Sequence, residues 1–238
     1  LITSYNRSGL FEKTIKSWLE REEVDTLIVK ADSSKKEEYE KYKEVLESVK
    51  NKSVIYEVSD KRSGPTTAKN RVLEIALQND CKFMIYADDD HYIPKDSDIR
   101  GSLKILLNKS IGIVGGKVVN LSRRVVDPDF FLNLQLADSL SKALGYIFLD
   151  IKHGPRFAEF VPAFFMVKGK AVENVRYDEL YDTTNGFREE SDFQQGVKKA
   201  GYRIVFNPYF YVYHIPIEEG GDRGVDLLRG IHAIQPND

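Results

Sequence analysis

The sequence predicts an α/β fold, a mostly parallel sheet flanked by helices, and three observations carry that expectation. Short apolar runs alternate with amphipathic stretches of helical length through the first half of the chain. Stretches of that length connect parallel strands and cover both faces of their sheet. The apolar runs also finish in polar residues, where ligands of such sheets bind. At 238 residues the chain can bury one substantial core, so a single domain over 1–238 is expected.

Leu1–Tyr5 forms a first strand that runs into an Asn6-Arg7-Ser8-Gly9 turn, and Phe11, Ile15, Trp18 and Leu19 then recur at helical spacing. Thr26–Val29 is a second strand ending near Asp32, followed by a charged helix with Tyr42, Val45, Leu46 and Val49 as its buried stripe. Val54–Val58 is a third strand. Thr66–Asn79 is a third helix, with Ala68, Val72, Ile75 and Ala76 inward. Lys82–Tyr86 leads into Asp88-Asp89-Asp90. Three polar strand ends therefore converge on one crevice: Thr3–Arg7, Asp32–Ser34 and Asp88–Asp90. Beyond them come a helix holding Leu103, Leu106 and Leu107, a strand Ile113–Val119, a helical stretch Phe130–Leu144 and an apolar segment Phe160–Val167. Phe187–Phe193 opens a helix with Phe193, Val197 and Ala200 inward. Ile204–Phe206 and Tyr211–His214 are closing strands, and a polar tail follows Gly220-Gly221.

A formal net charge of −2, with 42% hydrophobic and 30% charged residues, gives no excess positive field and argues against a general nucleic-acid binder. The single cysteine, Cys81, cannot make an intrachain disulfide, which fits a reducing compartment. The longest apolar stretches fall short of the roughly 18 residues that cross a bilayer, so no transmembrane segment is expected. Leu1 lies in the middle of a predicted strand without an initiator Met, which leaves upstream residues open.

Asp88-Asp89-Asp90 is the sharpest local feature. Three adjacent carboxylates at the end of a buried strand repel one another, and desolvation worsens the repulsion unless a cation is bound. Oxygen ligands suit Mg²⁺ or Mn²⁺, which bridge to diphosphate oxygens. Taken alone the triplet also fits a solvated acidic turn. Asp32 likewise fits a helix N-cap or Asx-turn, and acids such as Glu189, Glu190 and Asp192 in a first helical turn are favoured by the helix dipole alone.

The ordered set Thr3-Ser4-Tyr5-Asn6-Arg7, Asp32-Ser33, Ala68-Lys69-Asn70-Arg71 and Asp88–Asp90, continued by Phe187–Phe193, Gly201-Tyr202, Pro208 and His214, resembles the inverting family-2 glycosyltransferases of the GT-A fold. The resemblance covers most of the chain in the family's order, and Glu159–Val167 is similar to the acceptor-side strand of its galactosaminyltransferase-like branch. It implies a Rossmann-like domain with a smaller, mixed acceptor-side sheet. The nucleotide-sugar-binding half would span 1–120, and the acceptor-binding half with the catalytic base 121–238.

The implied reaction is metal-dependent, inverting transfer of a sugar from a UDP-sugar donor to a glycan, lipid-linked or protein acceptor, as in polysaccharide biosynthesis. The resemblance implies Mn²⁺ or Mg²⁺ on the strand-ending DXD-type motif, through Asp88 and Asp90, with His214 as a further ligand and Asp89 in support. Thr3, Tyr5, Arg7, Asp32, Lys69, Asp88 and Asp89 would line the nucleotide sugar, Asp32 accepting from the uracil imide. Lys69 stands where the family usually has Arg. Glu190 is the implied base, with Glu189 its rival and Asp192 beside them, although the family usually has Asp there. His91 is a neighbour of the ligands, and Gly220–Gly224 with Arg223 and Arg229 a closing loop. A cytoplasmic location is expected, including the cytoplasmic face of a membrane that carries lipid-linked acceptors. A retaining transferase, a nucleotidyltransferase and a catalytically silent sugar-nucleotide or glycan-binding module remain open alternatives; Asn6-Arg7-Ser8-Gly9 is a poor match to a nucleotidyltransferase's glycine-rich loop.

Overall fold

The structure, a computed structural model of the chain, describes residues 1–50, 52–121, 154–183 and 189–215. The first half alternates as expected: β1 (Ile2–Tyr5), α1 (Ser8–Leu19), β2 (Thr26–Asp32), α2 (Lys36–Glu47), β3 (Ser53–Ser59), α3 (Pro65–Gln78) and β4 (Phe83–Asp88). There follow β5 (His91–Tyr92), α4 (Ile99–Leu106), β6 (Ile111–Asn120), β7 (Arg156–Ala158), β8 (Phe165–Lys168), α5 (Glu189–Lys199) and β9 (Arg203–His214). Among the described residues the strands join one sheet in the order β3-β2-β1-β4-β8-β6-β9-β5, with β7 also on β9. The β3-β2-β1-β4 portion is parallel, and beyond it β8 is antiparallel to both β4 and β6. The mixed acceptor-side portion is thus continuous with the parallel one.

Register fixes the crevice. Tyr5 lies opposite Asp32 and Thr3 opposite Asp88, so the ends of β1, β2 and β4 reach the same edge of the sheet. Phe11, Ile15 and Trp18 of α1 and Tyr42, Val45 and Leu46 of α2 pack into one core cluster with Ile2, Val29 and Ala87. Val72, Leu73, Ile75 and Ala76 of α3 pack into a second with Tyr86, Phe165, Phe193 and Val197. These are the helical stripes that the 3.6-residue period predicts.

Several expectations need correction. Val49 lies past the end of α2 and is only partly buried, and Leu107 is 62% exposed just beyond α4, whose buried positions are Ile99, Ser102 and Leu106. Ala200 is exposed past the end of α5. The segment Phe160–Val167 is a strand only from Phe165 onward. Pro162 has no N–H to give a ladder, and the Gln194 amide takes both backbone groups of Val161, donating to its oxygen and accepting from its nitrogen at 2.8 Å each. The two closing strands are one, β9, which keeps pairing with β6 through a register shift between Gly115 and Lys117. The expected helix Phe130–Leu144 and the Gly220–Gly224 loop with Arg223 and Arg229 lie outside the described residues.

Phe164 is fully buried beneath the crevice, with ring centroids 4.2 Å from Phe210, 6.2 Å from Trp18 and 6.0 Å from His91. Gly116 makes room for it, since a Cβ there would come 2.5 Å from the ring and 2.6 Å from the Phe210 carbonyl. Phe164→Ala is expected to cost about 3–5 kcal/mol, the usual range for emptying a buried aromatic site. Urea unfolding measures it, and a loss below about 1 kcal/mol would contradict this packing.

Candidate active site

Asp88 ends β4 and leaves its side chain partly exposed, whereas Asp89 and Asp90 turn inward and are buried. Asp89 accepts from Ser4 Oγ at 2.5 Å and from Arg7 Nη1 at 3.0 Å, and Thr14 Oγ1 donates to its backbone oxygen at 2.7 Å. Arg7 Nη1 also reaches Asp90 Oδ2 at 3.3 Å. The two-residue β5 pairs antiparallel with the end of β9, His91 opposite His214, and Ile215 N donates to Asp90 O at 2.9 Å. This pairing brings His214 Nε2 to 3.2 Å from Asp90 Oδ2, although the two residues are far apart in sequence.

Electrostatics decides what this cluster can hold. Burial pushes the Asp89 carboxyl up and Asp90 raises it further, against the pull of Arg7. Burial acts on Asp90 in the same sense, yet His214, His91 and Arg7 together hold it below the usual carboxylate range. His91 is fully enclosed, and burial lowers its pKa, so the ring is neutral at pH 7. Its Nδ1 accepts the Asp88 N–H at 3.1 Å, which puts the ring proton on Nε2. Nε2 faces Asp88 Oδ2 at 3.8 Å and Asp90 Oδ1 at 3.9 Å.

Asp88, Asp90 and His91 offer ligand atoms within 4.8 Å of one another. With its Nδ1 lone pair already used and its proton on Nε2, His91 suits orienting the carboxylates and not binding the ion itself. Asp90 Oδ1 and His214 Nε2 are both buried without a formed hydrogen bond. Three carboxylates beside one guanidinium leave net negative charge at this end of the sheet, where Asp90 Oδ1 and His214 Nε2 lack a hydrogen bond. Those donors fit a divalent cation of the Mg²⁺ or Mn²⁺ type.

On the nucleotide side, Asp32 is buried at the end of β2 and caps no helix: the N-cap of α2 is Lys35. Its Oδ2 accepts from Ser63 N at 2.6 Å and from the Ser63 hydroxyl, while Oδ1 faces Lys30 Nζ at 2.9 Å. Tyr5 donates to Ser34 Oγ at 3.3 Å and carries Arg62 over its ring at 5.7 Å. Asn6, at φ 51°, ties the β1 and β2 tips together: Oδ1 accepts from Ser33 Oγ at 3.1 Å and Ser34 N at 3.0 Å, and Nδ2 donates to Ser34 Oγ at 2.8 Å. Thr3, Lys69 and Asp88 line one small recess with Tyr86 and Tyr177.

Glu189 and Glu190 open α5 and meet Lys69. Nζ donates to Glu189 Oε1 at 2.8 Å and to Glu190 Oε1. Lys69 is therefore committed to the two acids, unlike the phosphate or base contact its sequence position suggested. Asp192, in the same turn, is exposed. Burial outweighs Lys69 and raises the Glu189 carboxyl to about 7, whereas for Glu190 burial is overcome by Lys69 together with hydrogen bonding, and the carboxyl is lowered.

Ser4 and Asn6 stand in the motif after β1 without a role of their own in the sequence, and the structure gives each one a partner. Ser4 shares a strand face with Ile2, and its place in the Thr3–Arg7 motif at a strand end is the signal that sequence offers for it.

The glycosyl transferase family 2 model matches residues 1–127, just over half of the chain. A search of curated proteins finds no match. Among solved structures, the chain is similar to a mannosyltransferase, PcManGT from Pyrobaculum calidifontis, in complex with GDP-Man and Mn²⁺, with TM-score 0.58 and 17% identity over 100% of this chain and 65% of that one. It is similar to S. aureus TarS 1–349, with TM-score 0.59 and 13% identity over 90% and 59%. It is also similar to GalNAc-T7 with UDP, GalNAc and Mn²⁺, with TM-score 0.64 and 15% identity over 92% and 43%. The chain thus spans less than two thirds of each of these proteins, and at such identities the likeness is one of fold. The α/β architecture is the one expected of a GT-A chain.

Arg7→Met would leave Asp89 and Asp90 buried without their guanidinium, an arrangement that costs about 3–5 kcal/mol. Thermal melting should show the loss, and added Mn²⁺ should recover part of it. Equal losses with and without Mn²⁺ would contradict a cation site at these carboxylates.

Proposed function

Because the chain belongs to glycosyl transferase family 2, we propose that it is a metal-dependent, inverting glycosyltransferase that moves a sugar from a UDP-sugar donor to a hydroxyl of a glycan, lipid-linked or protein acceptor. The observation that carries this reading is the clustering of Asp88, Asp90 and His91 ligand atoms within 4.8 Å of one another, with His214 Nε2 3.2 Å from Asp90 Oδ2. Nucleotide sugars with Mn²⁺ are named in two structures of similar fold.

Asp88, Asp90 and His214 would hold the cation, which when bound supplies charge neutralisation for the departing diphosphate. Ser4 and Arg7 keep Asp89 in place and so fix the backbone from which both metal-binding carboxylates project. His91 orients those carboxylates from behind. Thr3, Tyr5 and Asp32 lie along the tips of β1 and β2, the edge on which a nucleoside would rest. The choice of UDP rests on the place of Asp32 at the end of β2, where it would accept from the uracil imide beside its ion-pair partner Lys30. Within the single domain, residues 1–120 would bind the donor and 121–238 the acceptor.

Glu190 would take the acceptor hydroxyl's proton as the new bond forms opposite the leaving nucleotide. A base must be ionised at working pH, and Glu190, held low by Lys69, meets that requirement better than Glu189. Its side chain is also the more accessible, at 20% against 6%. No helix among the described residues is long and apolar enough to cross a membrane, and a lipid-linked acceptor would be reached by peripheral association at the cytoplasmic face.

Asp90→Ala should abolish Mn²⁺-dependent UDP binding in calorimetry. Glu190→Gln should keep that binding and lower transfer by about 10²–10⁴-fold, the usual value of general base catalysis. Transfer at the wild-type rate in Glu190→Gln would remove this residue from the base role, and retention of the donor's anomeric configuration in the product would rule out inversion.

A further inference from the structure

Lys69 joins the two halves of the proposed site, and it is buried in α3, with its side chain 10% exposed. Its ammonium rests 5.4 Å from the Tyr177 ring, which stacks on Phe193 of α5 with centroids 4.3 Å apart and planes 8° from parallel. The same helix holds the chain leading up to α5 at two further points. Asn70 grips residue 177 from both sides, Nδ2 donating to Tyr177 O at 2.9 Å and Oδ1 accepting from Tyr177 N at 2.8 Å. At the start of α3 the Asp182 carboxylate accepts from Thr66 N at 2.6 Å, from Thr67 N and from the Thr67 hydroxyl. Gly64 is needed there, because a Cβ would fall 2.5 Å from the Asp182 carboxyl carbon.

We infer that Lys69 is a positioning residue for acceptor activation: from its rigid seat on α3 it binds Glu189 and Glu190 together at the first turn of α5 and presents Glu190 to the acceptor. This rests on the reading of Glu190 as the base. Successive helical residues point roughly 100° apart, so two adjacent glutamates converge only when something between them attracts both. One buried ammonium cannot balance two buried carboxylates, and burial raises the Glu189 carboxyl while Glu190 stays lowered. Glu190 is then the glutamate whose ionised form is favoured.

Among the described residues the groups facing this triad are few; Arg176, which acts on Tyr86, gives its Nη1 to the backbone oxygens of Val172, Glu173 and Val175. Asp88 at the end of β4 raises the Lys69 pKa, Tyr86 of β4 and Tyr177 lie against it as neutral phenols, and His91 feels its charge from behind Asp88. None of these supplies a second cation to the glutamates. When Glu190 takes the acceptor proton, the pair becomes doubly protonated beside Lys69; returning one proton to water restores the starting state.

The test is Lys69→Met, with Lys69→Arg as the conservative variant. Two quantities are read: Mn²⁺-dependent UDP binding by calorimetry, and metal-dependent turnover of the best donor from a nucleotide-sugar panel. The inference predicts that Lys69→Met binds UDP within about twofold of wild type while kcat falls by about 10²-fold or more and its acid limb moves to higher pH. Lys69→Arg should restore most of kcat. Weakened UDP binding with kcat preserved would make Lys69 a donor ligand and overturn the inference. Unchanged kcat and pH profile would overturn it as well.

If Lys69→Met does not fold, carboxyl carbon NMR of the wild-type protein decides. Glu189 titrating near pH 7 and Glu190 at or below its ordinary range supports the inference; similar titrations of both contradict it. That readout needs no substrate. Failure of the functional reading, in which the wild type turns over no donor or Glu190→Gln stays active, therefore remains distinguishable from failure of Lys69 as the positioning group.

Discussion

Buried like charge is the constraint on which the rest of this structure depends. Asp88, Asp89 and Asp90 follow directly from a central strand of the sheet, and burying such a run is unfavourable unless every carboxylate is answered. Ser4 and Arg7 answer Asp89, and His91 stands behind Asp88 and Asp90. The short β5–β9 pairing brings in His214. What remains is net negative charge at one point, of the kind that a divalent ion would neutralise. The strand order serves that end. Parallel β1, β2 and β4 bring polar tips to one edge, and β9 closes the sheet from the other side with its last residue at the same place.

A second buried charge cluster faces the first across the recess that Thr3 and Lys69 share. Here one cation answers two carboxylates, and burial raises the Glu189 carboxyl while Glu190 is lowered. The two clusters suit different tasks. Oxygen and imidazole donors around a fixed charge deficit suit a diphosphate held by a cation, whereas a carboxylate pair with a single proton suits proton removal from a hydroxyl. Helix α3 links them, since it carries Lys69 and holds the chain at Tyr177 and Asp182.

Much of this was legible in the sequence because periodicity reports burial. The alternation of strands and helices through Gln78, and the stripes Phe11–Ile15–Trp18 and Tyr42–Val45–Leu46, follow from where apolar side chains must point. The acidic triplet at a strand end was visible for the same reason. Long-range pairing was not legible. Nothing local in Phe160–Phe164 announces that Gln194 will take up the backbone of Val161, and nothing in β9 marks where it shifts register against β6. Lys69 was read as a donor contact from its place in a motif, yet its partners lie some 120 residues away and only the packing of α3 against α5 brings them together. Asp32 fitted a helix cap by type, but Ser63 reaches it first.

The account's central claim is that side chains from the ends of β4 and β9 hold one divalent ion together with a nucleotide diphosphate. Anomalous diffraction from crystals grown with Mn²⁺ and UDP tests it most directly. The account predicts one manganese peak in coordinating contact with Asp90 and His214, bridging to the diphosphate. A peak elsewhere, or bound UDP with no manganese between it and these residues, would contradict it.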